Sequence, residues 1–168
     1  VNGPEGLARI QASQPDLIIS VRFGLIIRGK VIAIPQHGVI NLHSGVLPSY
    51  RGVMATFRAM LNKESEIGST LHFIQDSGVD TGDIISIARI TLATDRSYLF
   101  NVLSLYEAGC EQIIQAVAAV QAGQYLNGTP QQGTAAYYSF PSDDELATFV
   151  ALDYRLFDPQ DNTGHKQY

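Results

Sequence analysis

Residues 16–22 read D-L-I-I-S-V-R, a short apolar run rich in β-branched side chains that follows Pro15. It lacks the polar alternation of a half-solvated strand, so it fits a strand buried on both faces, the kind found in helix-covered parallel sheets. Beyond Gly24, L-I-I-R-G-K-V-I-A-I-P has the composition of a short helix or turn, and Pro35 closes it before the next β-rich run, V-I-N-L-H at Val39 to His43. From Val53 to Lys63, Met54, Phe57, Met60 and Leu61 fall at helical spacing. Strand, helix, strand, helix is the order of an α/β sheet. Two more β-like runs, Ser69 to Gln75 and Asp83 to Leu92, flank the turn-forming D-S-G-V-D-T-G and either pair as a hairpin or join the same sheet.

The longest periodic segment is Ser97 to Gln121, with Leu99, Val102, Leu103, Tyr106, Cys110, Ile113, Ile114, Val117 and Val120 recurring every three or four residues. Cys110 on that stripe reads as a core residue. Asp95 or Ser97 caps the start, and Gly123 stands where the helix stops. After the turn-rich connector N-G-T-P-Q-Q-G at Asn127 to Gly133, Tyr137, Tyr138 and Phe140 predict a short extended piece. Ser142 and Glu145 stand at capping-box spacing at the head of a small helix, and the polar tail from Asp158 to Tyr168 is expected to fray. The expected fold is α/β: the carboxyl half of a doubly wound, mainly parallel sheet with a long packed helix. Residues 1–126 form its core, and 127–168 are connector, short helix and tail.

With 168 residues, 45% of them hydrophobic, the chain suits one domain with a real core. Eleven Lys and Arg against sixteen Asp and Glu leave a charge of −5, which disfavours nucleic acid and anionic membranes as partners. The single Cys110 makes no internal disulfide, and no apolar run reaches the roughly 20 residues of a membrane span, so a reducing, cytoplasmic setting is expected. No His, Cys and carboxylate group has metal-ligand spacing, and phosphate-cradling glycine patterns are absent. The start V-N-G-P-E-G, with neither Met nor a signal pattern, reads as cut from a longer chain.

Chemistry gathers at two places. Asn41 and His43 lie two apart on a strand and share a face, at the carboxyl end where open α/β sheets collect ligands. A carboxamide there can hold a developing oxyanion and an imidazole can move a proton near neutral pH, although both residues also serve as turn formers or satisfied polar groups. The second place is Q-D-S-G-V-D-T-G-D, residues 75 to 83, where Asp76, Asp80 and Asp83 crowd a loop. An Asp here can orient an imidazole, or simply make a turn. D-T-G is also the aspartic-protease triplet, a match only three residues long. The protease reading requires an all-β chain and leaves Asn41 and His43 unexplained.

Taken together, N-L-H-S-G-V-L-P-S-Y-R-G at Asn41 to Gly52 and H-F-I-Q-D-S-G-V-D-T-G-D-I at His72 to Ile84 resemble the folate-dependent formyltransferases, the family that acts on methionyl-tRNA, glycinamide ribonucleotide and nucleotide sugars. The likeness spans roughly residues 15 to 92, with an echo in P-Q-x-G-T-x-x-Y-Y from Pro130 to Tyr138. It implies a sheet of formyltransferase type, 10-formyltetrahydrofolate as formyl donor, and a primary amine of a small metabolite or sugar nucleotide as acceptor. The family's catalytic Asn, His and Asp fall on Asn41, His43 and Asp80. The donor-binding positions fall on Leu25, Ile26 and Ile27 and on Gln75, Asp76, Gly78 and Val79. His72 occupies a family position near the site or is a hydrogen-bonded core residue; His37 and His165 carry no pattern.

Departures from the family are equally legible. Members carry several βα units before the segment matching Asp16, and the methionyl-tRNA enzymes add a β-barrel domain where this sequence offers a short helix after Gly133. The family's x-S-L-L-P turn is S-G-V-L-P here. The expected alternative to an enzyme is an inactive module that retains the folate pocket. An apolar strand such as Leu17 to Val21, with about fifteen residues before it, leads us to expect self-association.

Overall fold

A computed structural model describes residues 1–163. Its elements in chain order are α1 (Pro4–Ser13), β1 (Ile18–Val21), α2 (Gly29–Ile32), β2 (Val39–His43), β3 (Arg51–Gly52), α3 (Ala55–Leu61), β4 (Glu66–Phe73), β5 (Ile84–Thr91), α4 (Tyr98–Gln121), β6 (Tyr137–Tyr138) and α5 (Asp143–Ala151), closed by a 3₁₀ turn at Pro159–Thr163. The main sheet has the order β1-β2-β4-β5. The expected parallel arrangement holds for β1 and β2, with Ile18 opposite Val39. From β4 onward the sheet runs antiparallel, because β4 and β5 form the hairpin that the loop at residues 74–83 permits. A small second sheet pairs β3 with β6 in parallel, which brings the connector after α4 back beside Gly52.

Side-chain alternation divides the sheet into two faces. Ile40, Leu42 and Leu71 point to the face covered by α4, where they form one cluster with Ala116. Asn41, His43, Thr70 and His72 lie on the opposite face, since Asn41 pairs with His72 and His43 with Thr70 across the ladder. Val39, Ile27 and Val31 make a second cluster with Leu7 and Ile10 of α1. A third, built on Phe57, Met60, Leu105 and Phe149, joins α3, α4 and α5. Among the described residues no helix is long and apolar enough to cross a membrane.

Three expectations need correction. β1 is not buried on both faces: among the described residues it pairs only with β2, and Ile19 and Val21 are exposed while Ser20 is buried. The long helix has the expected ends, with Ser97 accepting from the Phe100 N–H as its cap and Gly123 in a left-handed conformation beyond it. Its buried face, however, is Asn101, Val102, Leu105, Gly109, Gln112 and Ala116, and the stripe residues Cys110 and Ile114 are exposed. The helix approaches so closely that a Cβ on Gly109 would meet Leu42, so small residues face the sheet. Gln112 supplies the polar contact there, accepting from Ser69 and donating to Ser86. Finally, the tail does not fray at its start, because buried Asp161 accepts from the Ser97 hydroxyl and the Asp158 N–H. Residues 164–168, including His165, lie outside the described residues.

Candidate active site

The carboxyl end of β2 delivers Asn41 and His43, and the hairpin loop between β4 and β5 delivers Asp80 to the same point. Asp80 Oδ2 lies 3.4 Å from His43 Nδ1, and Oδ1 lies 3.4 Å from Nε2 of His72. The carboxylate thus sits between two buried histidines, 7% and 2% exposed, and is itself 11% exposed. The backbone N–H of Gly52 donates to Oδ2 at 2.8 Å. Burial works to raise the Asp80 carboxyl, but the two imidazoles and the Gly52 N–H outweigh it and hold the group below the usual carboxylate range.

Tautomers follow from the partners. The Tyr50 carbonyl, which can only accept, lies 2.6 Å from His43 Nε2, so this nitrogen carries the hydrogen. In a neutral ring Nδ1 is then a bare acceptor facing Asp80. Burial, the largest influence, pushes His43 below its ordinary value near 6.5, aided by His72 and opposed by Asp80 and the Tyr50 carbonyl. The ring at rest is therefore neutral and surrounded by acceptors, a setting that receives a proton by closing the gap to Asp80. Nδ1 of His72 donates to the Phe73 carbonyl at 2.8 Å, which leaves Nε2 to accept from Asn41 Nδ2 at 3.2 Å. One hydrogen of Asn41 Nδ2 remains for another acceptor.

The turn after β2 is shaped around these rings. A Cβ on Gly45 would lie 2.6 Å from His43 Nε2 and 2.5 Å from the Ala55 Cβ, so glycine at this position of S-G-V-L-P lets the turn fold back on the imidazole. Thr70 pins the turn, donating to the Gly45 carbonyl at 2.6 Å and accepting from the Leu47 N–H. The Leu47–Pro48 peptide is cis.

The remaining sequence-derived positions divide. Leu25 and Ile26 are 61% and 52% exposed, in the stretch that leaves β1 where Val21 pairs with Leu42, between Asn41 and His43. Ile27 is turned inward against Val31 and Val39, and anchors the stretch. Gln75 closes the base of the hairpin loop, donating to the Asp83 carboxylate and accepting from the Asp83 N–H. Asp76 accepts from the Gly78 N–H, and Val79 lies exposed beside Asp80. Among the described residues no group of three or more His, Cys, Asp or Glu side chains could hold a metal ion.

Sequence reasoning left His72 open and missed Thr70, the Tyr50 carbonyl, the Gly52 N–H and Gln131. The signal for the first two lies in the antiparallel register of β2 and β4, and for the backbone groups there is none in the side chains.

Comparison with known proteins identifies the family. Residues 2–101 match the family described as Formyl transferase. The chain is 32% identical over 158 residues to the methionyl-tRNA formyltransferase of Syntrophomonas wolfei, covering 93% of this chain and 50% of that protein. It thus spans about half the length of such curated relatives. Among solved structures it is similar to the formyltransferase PseJ from Anoxybacillus kamchatkensis, in complex with UDP-4,6-dideoxy-4-formamido-L-AltNAc and tetrahydrofolate (TM-score 0.67, 26% identity, 80% of this chain and 69% of that one). It is also similar to the N-formyltransferase of Helicobacter canadensis, in complex with folinic acid and dTDP-3-aminofucose (TM-score 0.60, 28% identity, 73% of this chain and 44% of that one). A match that covers more than half of the residues, on a fold that sets Asn41, His43 and Asp80 together, places the chain in the formyl transferase family.

Proposed function

We propose that this protein transfers a formyl group from 10-formyltetrahydrofolate to a primary amine. The observation that carries the reading is the buried Asp80 carboxylate set between His43 and His72, with the Asn41 carboxamide alongside. The donor supplies a formyl carbon, which an unprotonated amine attacks. Asn41 donates its free Nδ2 hydrogen to the oxygen on which negative charge develops. With the hydrogen of the neutral ring moved to Nδ1 and donated to Asp80, His43 takes at Nε2 the proton that the amine loses and returns it to the leaving nitrogen. Both transfers require the ring to exchange its Tyr50 carbonyl contact for the substrate. Asp80 stabilises the imidazolium and the Gly52 N–H keeps its carboxylate aligned, while the Tyr50 carbonyl holds the ring at rest.

The donor fits what the chain offers. Exposed apolar Leu25 and Ile26 stand beside the carboxyl ends of β1 and β2 and would hold its ring system, with the backbone of Gly78 and Val79 in the opposing loop. The neighbours crystallised with tetrahydrofolate and folinic acid support this ligand class.

For the acceptor we favour an amino sugar carried on a nucleotide, which accords with the ligands of those neighbours and with the acidic balance of the sequence. A second reading, the amine of an aminoacylated tRNA, is favoured by the names of the curated relatives. The test supplies 10-formyltetrahydrofolate with a dTDP- or UDP-amino sugar in one arm and methionyl-tRNA in the other, and follows tetrahydrofolate release. Release with the sugar alone supports the first reading, and release with the tRNA alone supports the second. Tight binding of a folate analogue without transfer in either arm would identify an inactive folate-binding module.

A further inference from the structure

One polar side chain outside the histidine pair is fully engaged and aimed at the same loop. Gln131 lies in the connector that the sequence marks only as a turn. Its Nε2 donates to the backbone carbonyls of Asp80 and Gly82, both at 2.8 Å. Its Oε1 accepts from Arg51 at Nη2 (2.7 Å) and Nε (3.1 Å). Two donors and two acceptor sites are all that a carboxamide has.

Asp80 needs such support. Its φ is 53°, a left-handed conformation that a residue with a side chain adopts at a cost and keeps only where its surroundings enforce it. The bonds within the loop, from Gln75 to Asp83 and from the Gly78 N–H to Asp76, are exposed and compete with water, whereas those of Gln131 are half-buried. The two residues of β3 grip Asp80 from both ends: Gly52 binds the carboxylate through its N–H, and Arg51 binds the main chain through Gln131. β3 is in turn fixed by its pairing with β6, where Gly52, at φ 94°, is so close to the Tyr138 carbonyl that no Cβ fits.

We infer that Gln131 is a positioning residue: it locks the backbone of Asp80 to Arg51 and so holds the carboxylate against His43. This rests on the reading of the site given under Proposed function. It also assigns a purpose to P-Q at residues 130–131, part of the distant echo in the sequence.

The test separates the two halves of the carboxamide. In Gln131→Glu an oxygen still accepts from Arg51, but the other faces the carbonyls of Asp80 and Gly82 with a lone pair instead of a hydrogen. Gln131→Leu removes both halves without adding charge, and serves if the Glu variant does not fold. Two quantities are read in the full chain: kcat and KM for formyl transfer, and the titration of the His43 ring by nuclear magnetic resonance. That ring is faced by Asp80, by His72 at 6.4 Å between centroids, and by the Tyr50 carbonyl. Displacing Asp80 removes a contact that favours the protonated ring, so the titration should move to lower pH. In the same variant kcat should fall about 100-fold, the scale of a misplaced catalytic group, with KM for the amine changed far less. A folded variant with reduced thermal stability but an unmoved His43 titration and unchanged kcat would make Gln131 merely structural and overturn the proposal. If the wild type transfers no formyl group yet the titration still moves, the activity reading fails and the positioning of Asp80 stands.

Discussion

The two flanks of β2 behave as opposites at its carboxyl end. On the side of β4 and the hairpin loop, Asp80 lies between His43 and His72 with Asn41 bonded to His72, and the Tyr50 carbonyl, the Phe73 carbonyl and the Gly52 N–H further fix His43, His72 and Asp80. On the side of β1, Ile19, Val21, Phe23, Leu25 and Ile26 present apolar side chains to solvent. One flank is pre-arranged for charge, the other offers apolar area to whatever covers it. The contrast teaches that substitutions on the two flanks should separate: those on the polar flank change turnover, those on the apolar flank change ligand affinity.

The largest expected effect is on the polar flank. Asn41→Ala removes an oxyanion donor and should lower kcat about 100- to 1000-fold with the fold intact, which steady-state kinetics and circular dichroism check. Next comes Gly45→Ala. The new methyl group would occupy space held by the His43 ring and Ala55, so we expect a loss of about 1–3 kcal/mol in stability and a fall of about 100-fold in turnover, read by denaturant unfolding and kinetics.

On the apolar flank, Ile26→Ser should leave stability within about 0.5 kcal/mol, because the side chain is exposed in the free protein. It should weaken a folate analogue by about tenfold, the equivalent of roughly 1.4 kcal/mol of lost apolar burial, as calorimetric titration would show. An Ile26 variant that unfolds but binds normally would erase the contrast between the flanks.

The smallest effect is in pH. Folded His43 resists protonation while an unfolded histidine takes a proton near pH 6.5, so below that value the unfolded chain binds more protons. Stability contributed by the neutral ring is therefore complete above about pH 6.5 and declines as pH falls through and below it. His43→Gln should flatten the melting temperature between pH 7 and 5 relative to the wild type.

Much of the fold was legible because it is written in local pattern. The β-branched runs marked β1, β2, β4 and β5, the Ser97 and Gly123 signals bounded α4, and Ser142 with Glu145 formed the capping box of α5. The inward face of α4 was not legible, because close approach to Leu42 favours Gly109 and Ala116 over the larger apolar residues that define the stripe. α1 was missed, although Pro4 stands at the first turn, since its apolar residues are few and none is buried. Within the site, strand alternation alone put Asn41 and His43 on one face, and the family resemblance singled out Asp80. The resemblance left His72 open between the site and the core, and the antiparallel register, which opposes it to Asn41 and which no local pattern encodes, brings it into the site. The Tyr50 carbonyl and Gly52 N–H are main-chain groups, whose role in the site no side chain announces.

The measurement that bears most directly on the account is kcat for formyl transfer in Asp80→Asn, compared with the wild type at pH 7 under saturating 10-formyltetrahydrofolate and amine. The amide keeps the shape but removes the charge that stabilises the protonated His43 ring, so kcat should fall at least about 100-fold while the KM for the folate stays close to the wild-type value. An Asp80→Asn protein that turns over as fast as the wild type would contradict the assignment of this carboxylate and imidazole as the centre of the reaction.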